Sequence, residues 1–271
     1  MLDAPLLGFQ LKGDNMSQHV MITAGGSGIG WVVAKAFADG GAKVHICDVD
    51  AAALGKIAKE HPQIATTVVD LTDEASIDRW FDAALGDLGG IDVLVNNAGT
   101  KGPTGYVEAL KLEDWRNCLS VCLDAQFLCA RRAVPVMKGQ RSGCIINLSS
   151  TAGLYGYGLR TPYAAAKWAV IGFTKSLAVE LGPFDVRVNA ICPGIVEGAR
   201  MDRVIEAEAQ TRGIAFDTVE KEYVQSQSIK RFVKPGEIAD ICLFLASPAA
   251  KMISGQAIAV DGNTETFHIG S

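Results

Sequence analysis

An α/β fold, built on a doubly wound seven-stranded parallel sheet with helices on both faces, is predicted by three observations. From residue 19 onward short β-branched runs alternate with longer amphipathic stretches, the pattern of repeated strand–helix–strand units. A glycine-rich turn, Thr23-Ala24-Gly25-Gly26-Ser27-Gly28-Ile29-Gly30, closes the first apolar run. At 271 residues and 49% hydrophobic, the chain can bury a full core, and its length fits one α/β domain better than two.

The elements follow in order. Residues 1–18 show no clear period and are read as an N-terminal extension without visible chemistry; residues 19–271 are read as the single domain. The first strand is Val20–Thr23, and a helix begins near Gly28. Strand two is Lys43–Cys47, ending at Asp48; strand three is Ala65–Val69, ending at Asp70. Strand four is Ile91–Val95, followed by Asn96-Asn97-Ala98-Gly99, and strand five is Cys144–Leu148, with Ser150 in the loop after it. Thr161-Pro162 reads as an N-cap and a first-position proline opening the next helix. Strand six is Val186–Ile191 and strand seven Ala257–Val260. Between them, residues 198–235 break the alternation as two short helices, Met201 to Gln210 and Thr218 to Ser226, read as a helical substrate lid.

Composition excludes some functions. A net charge of -5 with no Lys/Arg-rich block argues against a nucleic-acid surface. The seven cysteines form no C-x-x-C pair and sit in apolar contexts, so buried reduced thiols are expected. The start lacks the basic and apolar regions of a secretory signal, and no apolar run is long enough for a membrane span, so a soluble cytoplasmic protein is expected. His19, His45, His61 and His268 are scattered, and Cys118 and Cys122, one helical turn apart, lack further ligands, so no metal site is expected.

The glycine-rich turn has the composition of a phosphate cradle. Small residues let a backbone approach a pyrophosphate while the following helix presents its N–H groups and positive dipole end. Glycine-rich turns also serve tight packing, and the motif alone leaves both readings open. Asp48 ends strand two about twenty residues downstream, where a carboxylate can accept hydrogen bonds from ribose hydroxyls; it could equally cap the helix at Ala51-Ala52-Ala53-Leu54. No Lys or Arg stands beside Asp48 to offset a 2'-phosphate, so NAD is favoured over NADP.

The reaction chemistry lies further along. Ser150 precedes Tyr163 by thirteen residues, and Tyr163 and Lys167 are one turn apart on one helical face. A neighbouring ammonium favours a phenolate, which a general base requires. Ser150 would hydrogen-bond the substrate oxygen. A Tyr-x-x-x-Lys pair alone would read as surface decoration; together with Ser150 and the cradle it does not.

On these residues, with Pro193-Gly194-Ile195-Val196 and Val260-Asp261-Gly262, the chain from about residue 19 to 263 resembles a single-domain short-chain dehydrogenase/reductase. The resemblance implies a Rossmann-type sheet, a nicotinamide cofactor, Tyr163 as acid/base, Ser150 steadying the substrate oxygen, and Lys167 holding the nicotinamide ribose. It further implies cofactor contacts from Gly25, Ser27, Gly28, Ile29 and Gly30, from Asp70 and Leu71 at the adenine, from Asn97, and from the Val196 backbone at the carboxamide. It also implies a homotetramer.

Three positions depart from the family pattern. Ala24 replaces the first cradle glycine, a minor change if φ there is negative. Cys122 stands where an Asn usually completes the catalytic group, keeping the main-chain carbonyl but losing the amide. Gly198 replaces the usual Thr after the Pro-Gly-x-Val loop, removing one side-chain contact that backbone N–H groups could replace.

The substrate is expected to be a small polar alcohol or ketone. Arg160 and Arg200 could meet a carboxylate, giving a hydroxy acid or sugar-derived acid; equally, they could be solvated surface charges or subunit contacts. The alternatives are a 3-oxoacyl thioester reductase and a cofactor-binding paralogue without catalysis, the latter motivated by Ala24, Cys122 and Gly198.

Overall fold

The computed structural model describes residues 17–264. Seven strands form one parallel sheet in the order β3-β2-β1-β4-β5-β6-β7. They are β1 His19–Thr23, β2 Lys43–Asp48, β3 Ile64–Val68, β4 Val93–Asn96, β5 Gly143–Leu148, β6 Val186–Pro193 and β7 Ala257–Val260. The helices are α1 Gly28–Asp39, α2 Ala51–Glu60, α3 Glu74–Leu88, α4 Leu112–Leu119, α5 Ala125–Gln140, α6 Thr161–Leu181, α7 Ala199–Arg212, α8 Phe216–Gln225 and α9 Pro235–Ala246.

The strands are apolar because both sheet faces are covered. Val20 and Ile22 pack with Phe37 of α1 and Ile238 and Leu245 of α9 on one face. Met21, Leu94 and Ile145 pack with Trp80 and Phe81 of α3 and Met137 of α5 on the other. Each such side chain, fully buried, contributes about 1.5–3 kcal/mol. β1 pairs with both β2 and β4, so the chain reverses its winding there. Ligands of open α/β sheets bind beyond the strand carboxyl ends at such a point.

All seven predicted strands are present, with shifted ends. β6 runs on to Pro193 because Cys192 and Pro193 pair with Ala259 and Val260 of β7. Two local readings are corrected. Thr161 is not the N-cap of α6 but its first residue; Arg160 occupies the cap position without a side-chain cap bond, and Pro162 falls second in the helix. The insert helices are longer than expected and bury Ile205, Ala209, Val219 and Tyr223 against Ile195. A π-helical turn, Ser120–Asp124, joins α4 to α5.

All seven cysteines are buried and unpaired, as expected. Among the described residues no helix is long and apolar enough to cross a membrane, and no three His, Cys, Asp or Glu side chains group as a metal site would require. Residues 1–16 of the N-terminal extension, and His268, lie outside the described residues.

Candidate active site

The glycine turn is shaped by contact as much as by torsion. A Cβ on Gly25 would sit 2.6 Å from Ile46 Cβ, and one on Gly26 2.8 Å from Asp48 Oδ2. Gly28 has φ +54°, a conformation side chains rarely adopt. Ser27 caps α1 without a side-chain hydrogen bond, and the first turn of α1 holds no acidic residue. The positive end of α1 therefore faces the cavity with no side-chain cap and no acidic residue in its own first turn.

Ala24 is a correction. Its φ is +51°, not negative, so the replacement of glycine there is strained. The Asn97 amide holds this turn, donating to Thr23 O and Ala24 O at 3.0 Å each, while the Asn97 backbone N–H donates to Thr23 Oγ1 at 2.9 Å. The left-handed penalty, less the extra freedom glycine gains in the unfolded chain, leads us to expect Ala24→Gly to stabilise the fold by about 0.5–1 kcal/mol. The melting temperature should rise by about 1–4 °C in a thermal scan; an unchanged or lower value would count against the strain.

Asp48 does not cap α2, which corrects that alternative. Asp50 does, its Oδ1 accepting from the Ala52 and Ala53 N–H groups at 3.0 Å each. Asp48 instead accepts from Gly26 N–H at 2.9 Å and Asp50 N–H at 3.0 Å, which aims its carboxylate across the glycine turn. Asp70 accepts from the Thr72 hydroxyl at 2.7 Å and the Thr72 N–H at 2.9 Å, and these bonds hold its carboxyl below the usual carboxylate range.

Past β5, Ser150 Oγ accepts from Ala152 N–H at 3.1 Å and so caps the short turn Thr151–Gly153. A Cβ on Gly153 would lie 2.6 Å from Lys167 O, and Ser149 Oγ donates to that same carbonyl at 2.8 Å, so this turn docks directly on α6. Lys167, 2% exposed, donates from Nζ to Leu148 O at 2.7 Å, with Nζ 5.6 Å from the Tyr163 ring centroid.

Gln126 is a residue the sequence reading missed. Its Nε2 donates to Cys122 O and to Leu148 O, both at 3.1 Å, which links the Cys122 carbonyl to the same oxygen that anchors Lys167. The available signal was a glutamine one turn after Cys122, just before the apolar Phe127-Leu128-Cys129-Ala130. Cys122 itself is buried, its thiol 3.8 Å from Thr100 O. Its hydrogen bond with Cys118 pulls the thiol below the ordinary range, with help from the Lys167 charge and against burial.

Arg160 is not a solvated charge, which overturns that alternative. It is 3% exposed; its guanidinium carbon lies 5.2 Å from the Tyr157 ring centroid and 5.0 Å from that of Tyr163, and it donates to Lys101 O. Arg200 is exposed and reaches from α7 to donate to Thr100 O at 2.8 Å. Gly198 has φ +128°, a backbone that disfavours the family threonine at this position. The pairing of Val196 with Val233 is made through Ile195 and Glu197, so it does not engage the Val196 N–H or C=O.

A cavity of about 730 Å³ gathers these residues. Ser27, Gly28, Ile29, Asp48, Asp70, Leu71, Asn97, Ser150, Arg160, Tyr163, Lys167, Val196 and Arg200 all line it. Gly25, Gly30 and Cys122 do not; the two glycines shape the turn behind it, and Val121 takes the wall position beside Cys122.

Residues 23–263 match the family model described as "Enoyl-(Acyl carrier protein) reductase". The chain belongs to the short-chain dehydrogenase/reductase family. The D-beta-hydroxybutyrate dehydrogenase of Cupriavidus necator is 36% identical over 248 residues, covering 89% of this chain and 95% of the relative. Among solved structures, NAD+-bound xylitol dehydrogenase superposes with a TM-score of 0.87 at 26% identity, covering 91% of this chain and 98% of that one. A single-substitution variant of actinorhodin polyketide ketoreductase with NADPH gives 0.88 at 29%, covering 93% and 98%. The parallel sheet with helices around it is thus the Rossmann-type fold of short-chain dehydrogenase/reductases, and the chain is an oxidoreductase of the alcohol/ketone kind.

Proposed function

We propose that the chain interconverts a secondary alcohol and a ketone on a small polar substrate, a hydroxy acid or sugar-derived acid, with NAD. The observation that carries this is the convergence of Ser150, Tyr163 and Lys167 on one cavity with the glycine turn and Asp48. That cavity fits a dinucleotide: an uncapped helix end for a pyrophosphate, a carboxylate for ribose hydroxyls, and a turn too tight for side chains at Gly25 and Gly26.

The cofactor, when bound, supplies hydride chemistry at the substrate carbon. The residues supply the rest. The Gly25–Gly30 turn would hold the pyrophosphate, Asp48 the adenosine ribose, and Asp70 with Leu71 the adenine. Asn97 would line the adenosine side, Lys167 would hold the nicotinamide ribose, and the Val196 backbone the carboxamide. Tyr163 Oη takes the alcohol proton or returns it to the ketone oxygen, while the Ser150 hydroxyl donates a hydrogen bond to that oxygen. Lys167, fixed on Leu148 O, keeps a positive charge beside the phenol. Arg160 and Arg200 present guanidinium groups to a substrate carboxylate. Cys122 acts through its carbonyl on Gln126 and the Lys167 anchor. Helices α7 and α8 serve as the lid of a single domain.

NAD is read from Asp48 and its neighbour Val49, 71% exposed, which offers no positive charge to a 2'-phosphate. The similar structures include both an NAD+ and an NADPH complex, so this chain's own residues carry the reading. Turnover followed at 340 nm over a panel of hydroxy acids, polyols and ketones should give kcat/KM at least about a hundredfold higher with NAD(H), and Asp48→Ser should cut that preference about tenfold or more. Equal or faster turnover with NADP(H) would overturn it.

A 3-oxoacyl thioester reductase is the second reading, favoured by the likeness to a polyketide ketoreductase. The paralogue without catalysis is disfavoured because all three reaction-centre residues line the cavity. Trp168 and Val179 of α6 and Phe127 of α5 are 52%, 79% and 47% exposed, which supports self-association, read here as a homotetramer.

A further inference from the structure

An acid-binding Arg160 must be held still, and the structure shows what holds it. Arg160 carries a buried charge with no carboxylate paired to it among the described residues, and its Nε is buried without a hydrogen-bond partner. A buried charge in that state is costly and asks for an anion. Its support is two aromatic rings and the Lys101 carbonyl. One ring belongs to Tyr163, on the rigid helix α6. The other belongs to Tyr157, in the irregular segment before α6.

Tyr157 is in turn tied to the lid. Its ring lines the cavity, while its hydroxyl shares a hydrogen bond with the Tyr223 hydroxyl on α8. Tyr223 donates to Glu208 Oε2 on α7 at 2.5 Å, and Arg212 Nη1 donates to Glu208 Oε1 at 2.9 Å. Arg212 continues to Glu222 of α8, donating at 2.6 and 3.1 Å. Tyr223 and Glu208 are 6% and 7% exposed. Helices that needed only to pack could do so with apolar side chains; a buried chain of polar groups, each with a partner, selects one geometry.

We propose that Glu208 and Tyr223 are positioning residues for anion recognition: through the Tyr157 hydroxyl they hold its ring against Arg160, which binds the carboxylate of a short oxo or hydroxy acid. Lid docking and acid binding are then a single event. The proposal rests on the reading of this cavity as an oxidoreductase site for an acid. Arg160 also faces the Tyr163 ring, its guanidinium carbon 5.0 Å from the ring centroid, so the acid is taken to be a short one.

The test is calorimetric binding of pyruvate and acetoacetate, and of their methyl esters, to NAD+-loaded protein, where no hydride is available for turnover. Wild type should bind at least one acid about tenfold or more tighter than its ester. Tyr223→Phe and Glu208→Gln, which keep side-chain volume, should each shrink that ratio about three- to tenfold with ester affinity unchanged. Arg160→Met should abolish the ratio, and adding Tyr223→Phe to it should change nothing further. If Arg160→Met abolishes the ratio while both lid variants keep it, the positioning role is wrong and the acid reading stands. The positioning role is equally wrong if the lid variants weaken acid and ester alike, since that is a merely structural effect. A wild-type ratio near one would remove the acid reading and this proposal with it.

Discussion

Replacing Tyr163 with phenylalanine is expected to lower kcat by about a thousandfold, within the range that general acid–base groups contribute, while leaving NAD affinity and melting temperature unchanged. The substitution removes one oxygen and little else. The Tyr163 ring packs against Cys118, Cys122 and Ala166 and faces Arg160, contacts that phenylalanine keeps. Lys167 keeps its hydrogen bond to Leu148 O, and the Ser150 turn keeps its docking on α6, because neither involves the phenol. Turnover at 340 nm reads the chemistry, and titration with NAD reads the cradle. If Tyr163→Phe still turns over alcohol at the wild-type rate, proton transfer belongs to another group and the proposed mechanism is wrong.

Strand number was legible because a parallel sheet covered on both faces needs short, nearly continuous apolar runs, and runs such as Val20 to Ile22 recur along the chain between longer amphipathic stretches. The lining of the site was legible for a related reason: residues just past strand ends share one edge whatever the helices do. Where two acceptors stood close together, the sequence could not choose. Asp48 extends β2 by pairing with Val68, which hands the cap of α2 to Asp50. The sign of φ at Ala24 was also hidden, since it is fixed by an amide 73 residues away, and so was Gln126, whose two carbonyl partners meet only in the folded chain. For Arg160 a substrate contact and a surface charge stood equal, because its cover comes from Tyr157, which is itself held by a hydroxyl 66 residues distant.

Gly30→Ala should be as damaging to the fold as Tyr163→Phe is to the chemistry. A Cβ there would lie 2.2 Å from Ala24 O and 2.5 Å from Asn97 Nδ2. Neither neighbour can yield easily: the first is backbone in an already left-handed turn, and the second is the amide that holds Thr23 O and Ala24 O. Helix α1 must therefore move off the end of β1, taking its N-terminus away from the cavity. Overpacking of this kind costs about 3 kcal/mol, or a melting temperature lower by about 6–12 °C. NAD affinity should fall about a hundredfold or more, because the N–H groups of a displaced helix end no longer converge on a pyrophosphate. Gly28→Ala is the control. Nothing lies within 4 Å of its Cβ position, and only the positive φ opposes it, so the cost should stay near ~1 kcal/mol. Thermal melts of both variants separate the packing effect from the torsional one, and calorimetric titration of the Gly30→Ala protein with NAD reads the cradle, since Gly28 itself lines the cavity. A Gly30→Ala protein whose melting temperature falls as expected while its NAD affinity stays at the wild-type value would show that the end of α1 does not hold the cofactor, and the assignment of the cradle would have to be abandoned.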